Sequence, residues 1–214
     1  MGIVEGYLCA RLGSDPAMPL LHEDALRLLG SFQRENVLAA AAAALLLGAK
    51  PHATGLALAT TAPLPFRLQL LAVLDGVRIY DNGVSTEIES TRSALRTLAG
   101  KVHWIGGGKS KDGDYRTVAD GIAPHVASAH LFGAAAKPLA EQLAGRTTVT
   151  VHDRMPAALA AALAAAAPGE AVLFSPAFAS FDQYPNFRAR ALEFHQRIAE
   201  RRYGGGTTTG SAEA

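Results

Sequence analysis

The 214-residue sequence predicts an α/β fold, a mostly parallel sheet flanked by helices, and three observations carry that reading. Beyond residue 77, short apolar runs and helix-compatible segments alternate in regular order, the pattern that helical crossovers between parallel strands impose. Three of these runs end abruptly in loops of small and hydroxyl residues, at 77–86, 104–115 and 173–187. Nearly half of the residues (49%) are hydrophobic, enough at this length to bury one generous core or two modest ones.

Taken in order, residues 3–12 and 20–28 read as short strands or a hairpin around Gly13-Ser14-Asp15-Pro16. An alanine-rich helix follows from Glu35 to near Gly48, then a second over 52–60, closed by the breakers Pro63 and Pro65. These 64 residues form a small, irregular first unit. Strands 67–74 and 77–81 flank Asp75-Gly76, a dipeptide whose tolerance of positive φ favours a tight hairpin.

The alternation then runs helix 87–98, strand 102–106, helix 115–123, strand 129–132, helix 136–143, strand 147–151, helix 156–166 and strand 171–174. A long helix over 182–202 closes the order. The tail 204–214 (GGGTTTGSAEA) holds too little apolar mass to offset its ordering entropy and is expected to be disordered.

Twenty basic residues against nineteen acidic ones leave a formal charge of +1, which argues against wrapping nucleic acid or coating a membrane surface. Cys9 is alone, so no intrachain disulfide or cysteine zinc site can form, in keeping with a reducing cytoplasm. The longest apolar stretch, 37–48, falls short of the roughly 20 residues a bilayer span needs. The N-terminus carries no secretory signal pattern, so a cytoplasmic location is expected.

Ligands of parallel sheets sit beyond the carboxyl ends of the strands. That rule brings Asp81, 107–111, Gly133, His152 with Asp153, and 175–180 to one edge. Gly106-Gly107-Gly108 lets the backbone turn sharply and present amides, while Lys109 and Lys111 bring cations to the same loop, so the expected ligand is an anion. Read alone, this loop is equally a solvated turn with two surface lysines. It is not a phosphate-binding loop of the GxxxxGK type followed by Ser or Thr.

Ser175, Ser180 and Asp182 surround the start of the last helix, where free amides favour a carboxylate by about 0.3 to 1 kcal/mol. Ser180 with Gln183, and Thr86 with Glu89, equally fit helix caps. Asp81 closes a buried strand, where a carboxylate can grip a hydroxyl or a cation, or simply form a turn. His22, His52, His103, His125, His130, His152 and His195 show no metal-ligand spacing and read as structural or solvent-facing.

Five pieces in series carry a family resemblance: 30–36 before the alanine-rich helix, Leu64-Pro65-Phe66-Arg67, 81–86, 107–115 and 175–187. In order and spacing the chain resembles the Mur ligases, specifically the D-glutamate-adding enzymes of peptidoglycan synthesis, over roughly residues 28–201. The resemblance implies a remnant of the central ATPase domain at 1–64 and the C-terminal Rossmann-like domain at 65–203. It implies a reaction in which ATP and Mg2+ activate the carboxylate of UDP-N-acetylmuramoyl-L-alanine as an acyl phosphate, which the amine of D-glutamate then attacks.

By the same resemblance Lys111, Ser180, Phe187 and Ser85 would bind D-glutamate, Asn36 would face the adenine, and Arg67 and Asp81 would approach the nucleotide's phosphates and ribose. There are departures. Phe32-Gln33 stands where the family has His-Asn, Phe66 replaces the His of Leu-Pro-His-Arg, and Asp81-Asn82-Gly83-Val84-Ser85-Thr86 replaces Asp-Ser-Lys-Ala-Thr-Asn, so Gly83 takes the lysine's place.

The sequence contains no phosphate-binding loop and none of the family's central-domain metal ligands. Purified alone it is therefore expected to release no phosphate from ATP and to need a separately encoded N-terminal half as partner. The competing expectation is a noncatalytic protein that holds an amino acid or nucleotide at the Lys111 and Ser180 edge. A dinucleotide enzyme is disfavoured, since no GxGxxG follows a strand and opens a helix.

Overall fold

A computed structural model describes residues 1–204 except Leu12 and Asp15; the expected disordered tail lies, apart from Gly204, outside the described residues. The chain divides into two compact units, Met1–Leu64 and a second that begins at Pro65. No helix among the described residues is long and apolar enough to cross a membrane.

The first unit opens with β1 (Gly2–Val4), β2 (Tyr7–Ala10) and β3 (Met18–His22), an antiparallel sheet in the order β1-β2-β3. Residues 3–12, expected as one strand, are broken by a turn at Glu5 and Gly6, both at positive φ. The segment expected as strand 20–28 leaves the sheet after His22 for a short 3-10 turn, Glu23–Ala25. Helix α1 (Ser31–Leu46) starts four residues earlier than expected, directly after Gly30 at φ 97°, and α2 (Pro51–Thr60) follows.

Leu8, Val37, Ala41 and Leu58 form this unit's small core. Gly55 lets α2 lie on β3: a Cβ there would stand 2.2 Å from the Leu20 carbonyl oxygen.

The second unit holds a six-stranded sheet in the order β4-β5-β9-β6-β7-β8. Its strands are β4 (Gln69–Leu74), β5 (Val77–Asp81), β6 (Val102–Gly107), β7 (Ser128–Phe132), β8 (Thr148–His152) and β9 (Ala171–Ala177). Only β4 and β5 run antiparallel, joined at Asp75-Gly76 as expected; every other pairing is parallel. The connections are α3 (Ile88–Thr97), α4 (Tyr115–Ile122), α5 (Ala136–Leu143) and α6 (Met155–Ala165), with α7 (Phe187–Gly204) after the last strand.

Helices α6 and α7 share one apolar cluster with the sheet, including Ile105, Phe132, Val172, Phe174, Leu159, Phe194 and Ile198. The rings of Phe174 and Phe194 stack at 4.4 Å.

Two boundaries differ from expectation for a reason that bears on the site. Strand β9 continues through Ser175-Pro176-Ala177, because Ala177 still pairs with Gly107 and the polar groups of Ser175 find buried partners. Helix α7 begins at Phe187 rather than 182. Asn186 caps it, its side-chain oxygen accepting from the Ala189 amide at 2.8 Å, and the segment before it remains as turns.

Candidate functional site

Strands β5, β9 and β6 lie side by side, so their carboxyl ends bring three loops together, as the strand-end rule requires. Loop 107–111 is tied to loop 177–180 by the Lys109 amide, which donates to the Ala179 carbonyl at 2.8 Å. Gly107 (φ 141°) and Gly108 (φ 133°) make this approach possible. A Cβ on Gly108 would stand 2.3 Å from the Ala179 oxygen.

A shallow cleft of about 100 Å3 opens along this junction, with Thr86, Glu87, Lys109, Lys111, Asp112 and Phe178 among its walls. The Lys111 ammonium is paired with the Glu87 carboxylate, and both side chains are more than half exposed (60% and 63%). Asp114 caps α4 at the cleft's edge by accepting from the Thr117 amide at 3.0 Å. Those bonds to Thr117 hold its carboxyl below the usual range.

Beneath the cleft lies a closed polar network. Ser85 Oγ meets Thr91 Oγ1 at 2.8 Å and donates to the Glu87 carbonyl; Thr91 Oγ1 meets Ser175 Oγ at 2.8 Å. Asn82 donates to Ser175 Oγ at 3.0 Å and the Trp104 indole to the Ser175 carbonyl at 2.8 Å. Ser85, Thr91, Ser175 and Trp104 are all buried. The network therefore ties β5, α3, β6 and β9 together where a central strand carries a serine.

Asp81 is completely buried with both oxygens engaged. Oδ1 accepts from the Gly83 amide at 2.7 Å and Oδ2 lies 2.5 Å from His195 Nε2 of α7, whose ring also sits 5.2 Å from that of Phe66. Gly83 is sealed: a Cβ would come within 2.7 Å of Ala191 Cβ and 2.9 Å of Asp81 Oδ1. The position that carries lysine in the resembling motif thus has no room for one while α7 is seated.

The remaining expected residues fall as follows. Ser180 directly follows Ala179 at the junction but is 2% exposed, and its carbonyl accepts from the Gln183 and Tyr184 amides. Its expected cap with Gln183 is absent, because α7 starts at Phe187. The expected Thr86 and Glu89 cap is absent as well, since Glu87 occupies the N-cap of α3 without a side-chain bond.

Phe187 is the half-buried first residue of α7, and Arg67 is exposed in the turn between Phe66 and Leu68, both at positive φ. Asn36 belongs to the first unit, exposed on α1, where its amide donates to Gln33 at 3.3 Å. Lys111 and Lys109 thus share the cleft wall, whereas Ser85 and Asp81 turn inward.

Sequence reasoning missed Arg190. It is completely buried under the glycine loop and donates from Nη1 to the carbonyls of Phe178 (3.0 Å) and Gly107 (3.3 Å), bracing both loops from below. Burial pulls its guanidinium down to about 10, and the nearby Asp182 carboxylate opposes that shift. Asp182 itself accepts from the Ala134 amide at 2.9 Å, so it pins the loop after β7. An arginine in the first turn of an amphipathic helix looks solvent-facing in sequence, and only its position four residues before Phe194 on the core face hints otherwise.

No three His, Cys, Asp or Glu side chains converge as a metal site among the described residues. The Mg2+ that the resemblance implies has no seat built from the described His, Cys, Asp and Glu side chains.

A family model described as "Mur ligase, glutamate ligase domain" matches residues 66–178. The UDP-N-acetylmuramoylalanine-D-glutamate ligase of Acidobacterium capsulatum is 33% identical over 199 residues, 92% of this chain and 43% of that protein. The ligase of the same name from Cereibacter sphaeroides strain KD131 is 40% identical over 172 residues, 79% of this chain and 36% of its own. The chain thus spans about two fifths of the length of these relatives.

Among solved structures, UDP-N-acetylmuramate-alanine ligase MurC from Thermotoga maritima matches with a TM-score of 0.64 at 14% identity, covering 84% of this chain and 40% of its own. FolC of E. coli in complex with ADP matches at 0.56 and 22% identity, covering 78% and 39%. At those identities the two likenesses concern the fold.

Proposed function

Since this chain belongs to the Mur ligase family through its glutamate ligase domain, we propose that it forms the amino-acid-binding part of an ATP-dependent ligase that adds D-glutamate to UDP-N-acetylmuramoyl-L-alanine. One observation carries the reading to D-glutamate: the Lys111 ammonium stands in the cleft at the strand ends and is already held by a carboxylate, that of Glu87. An exposed pair of this kind contributes only about 0 to 1 kcal/mol, so a dicarboxylic amino acid can displace Glu87 at little cost.

Lys109 adds a second cation to the same wall and Phe178 an apolar surface for the ligand's methylenes. Ser180 and Phe187 act in this reading through the loop and the helix start that shape the rim. Ser85 acts by fixing the backbone at Glu87, whose carbonyl it holds.

On the nucleotide side, Arg67 is the exposed cation ahead of β4. Asp81 acts through His195, whose ring is the more exposed end of their pair. ATP would supply the acyl-phosphate chemistry of the proposed reaction; the residues around the cleft bind and orient the attacking amino acid. Asn36 is assigned to the adenine by resemblance.

Titration calorimetry of the 214-residue chain with D-glutamate tests the site. Removing a charge-assisted bond of roughly 1.5 to 3 kcal/mol predicts that Lys111→Ala weakens binding between about tenfold and a hundredfold. Glu87→Gln, which removes the competing carboxylate, is expected to tighten it. Equal affinities for wild type and Lys111→Ala take Lys111 out of the site.

The sealed Gly83 position favours a second reading, a noncatalytic amino-acid-binding protein derived from the same domain. It predicts D-glutamate binding without any turnover even when a complete set of ligase substrates and a complementary N-terminal part are supplied.

A further inference from the structure

The cleft at the strand ends carries more acid than base, an odd balance for a site that takes an anion. Two lysines, Lys109 and Lys111, line it together with three carboxylates, those of Glu87, Asp112 and Asp114. A plain dicarboxylate would bring two further negative charges to a wall that already holds one negative charge too many.

Two of the three acids are engaged. Glu87 holds the Lys111 ammonium and stands at the start of α3, where the helix dipole favours a negative charge. Asp114 is the N-cap of α4, its Oδ1 accepting from the Thr117 amide at 3.0 Å. Asp112 has neither use. Among the described residues it pairs with no cation, and its carboxylate accepts only from the Asp114 amide, at a long 3.4 Å.

The backbone fixes where that carboxylate stands. Ser110 Oγ accepts from the Gly113 amide at 2.9 Å and Gly113 takes φ 75°, so 110–113 close into a turn with Lys111 and Asp112 as its two tip residues. The Lys109 amide, on the Ala179 carbonyl, anchors one side of this turn, and the Asp114 cap of α4 anchors the other. A cation and an anion on consecutive tip residues complement the head group of an amino acid, which carries a carboxylate and an ammonium on one carbon.

Given the amino-acid reading of the cleft, on which this rests, we infer that Asp112 is a specificity-determining residue: it takes the ammonium of the ligand whose carboxylate displaces Glu87 from Lys111, so the cleft selects amino dicarboxylates over plain dicarboxylates. Lys109, which pairs with no carboxylate among the described residues, is left for the second carboxylate, with Phe178 beside the methylenes between. Two negative charges and one positive charge on the ligand then meet Lys111, Lys109 and Asp112 one to one.

Glu87 is the poorer partner for the ammonium. Its side chain is 63% exposed and has one more torsion to immobilise, whereas the shorter Asp112 is carried on a closed turn.

The sign of one substitution separates this role from a general repulsion. Asp112→Asn removes a negative charge from an acid-rich cleft, so if Asp112 only repels, every anionic ligand binds the variant more tightly. If Asp112 holds the ammonium, D-glutamate loses a contact that glutarate, the same dicarboxylate without the amine, never had. Asparagine keeps an oxygen for the Asp114 amide, so the turn is retained.

Titration calorimetry of the full 214-residue chain with D-glutamate and with glutarate makes the comparison. The wild type should prefer D-glutamate by about fivefold, the upper end for an exposed ion pair. Asp112→Asn should weaken D-glutamate by about the same factor and leave glutarate unchanged or tighter, which erases the preference. Equal wild-type affinities for the two ligands, parallel changes for both in Asp112→Asn, or tighter D-glutamate binding in that variant overturns the role of Asp112. If D-glutamate binding is meanwhile lost in Lys111→Ala, the amino-acid reading of the cleft stands without it. D-glutamate that does not bind, or that binds Lys111→Ala as well as the wild type, overturns both.

Discussion

Gly107→Ala is expected to remove most of the second unit's stability. The glycine sits at φ 141°, a backbone conformation that L side chains rarely adopt, in the last position of β6. An added Cβ would lie 1.9 Å from the Phe132 carbonyl oxygen and 2.8 Å from its carbon. Phe132 cannot yield, because its oxygen accepts from the Gly108 amide and its ring is buried in the core.

Relief therefore requires parting β6 from β7 at the mouth of the site, and a cost above about 4 kcal/mol is expected against a total of about 5 to 15 for a typical domain. Urea denaturation measures it. Gly145→Ala is the matched control, since that residue has φ 71° but nothing within 4 Å of its Cβ, and should cost only about 1 kcal/mol. Comparable midpoints for the two variants would contradict the described approach of the two strands.

Arg190→Ala is expected to cost about 3 to 5 kcal/mol. Truncation leaves the Gly107 and Phe178 carbonyls without their buried donor, empties the volume of a long side chain and removes the positive charge nearest Asp182. Arg190→Met separates these terms. It restores most of the volume without the charge, and it also discards the Nε and Nη2 donors, which find no acceptor among the described residues.

The methionine variant should therefore recover part of the loss in denaturant while the cleft stays loosened, read as weaker D-glutamate binding. Full stability in Arg190→Ala would mean that the loops do not rest on the guanidinium. Both substitutions act on one physical requirement, that the 107–111 and 177–180 loops be held close enough for Lys111 to reach the rim.

Much of the second unit was legible because each strand is short, apolar and bounded by strong breakers. Asp75-Gly76 forms the hairpin, and the helices α3 to α6 lie within two residues of their expected limits. The first unit was less legible. Glu5-Gly6 breaks what reads as one strand, and Gly30 starts α1 ahead of its alanines; a turn of two residues leaves little trace in periodicity.

The lysines of the site could be placed because the end of a parallel strand is a position defined along the chain. The inward turn of Ser85, Asp81 and Ser180 could not, because a polar side chain at a strand end can face solvent or core with the same neighbours in sequence. Ser85 is drawn inward by Thr91, Asp81 by His195, and Ser180 is enclosed by the turn that precedes α7.

Alternation of apolar runs with helical segments, and glycines at the strand ends, by themselves determined a parallel sheet with its loops at one edge, since backbone geometry and handed connections leave few other arrangements. Tertiary packing alone decided the rest: that α7 seals the place of Gly83 and that Arg190 braces the loops. Those relations join residues up to 114 positions apart, as in the pair of Asp81 and His195. They depend on register and side-chain direction, which local sequence does not encode.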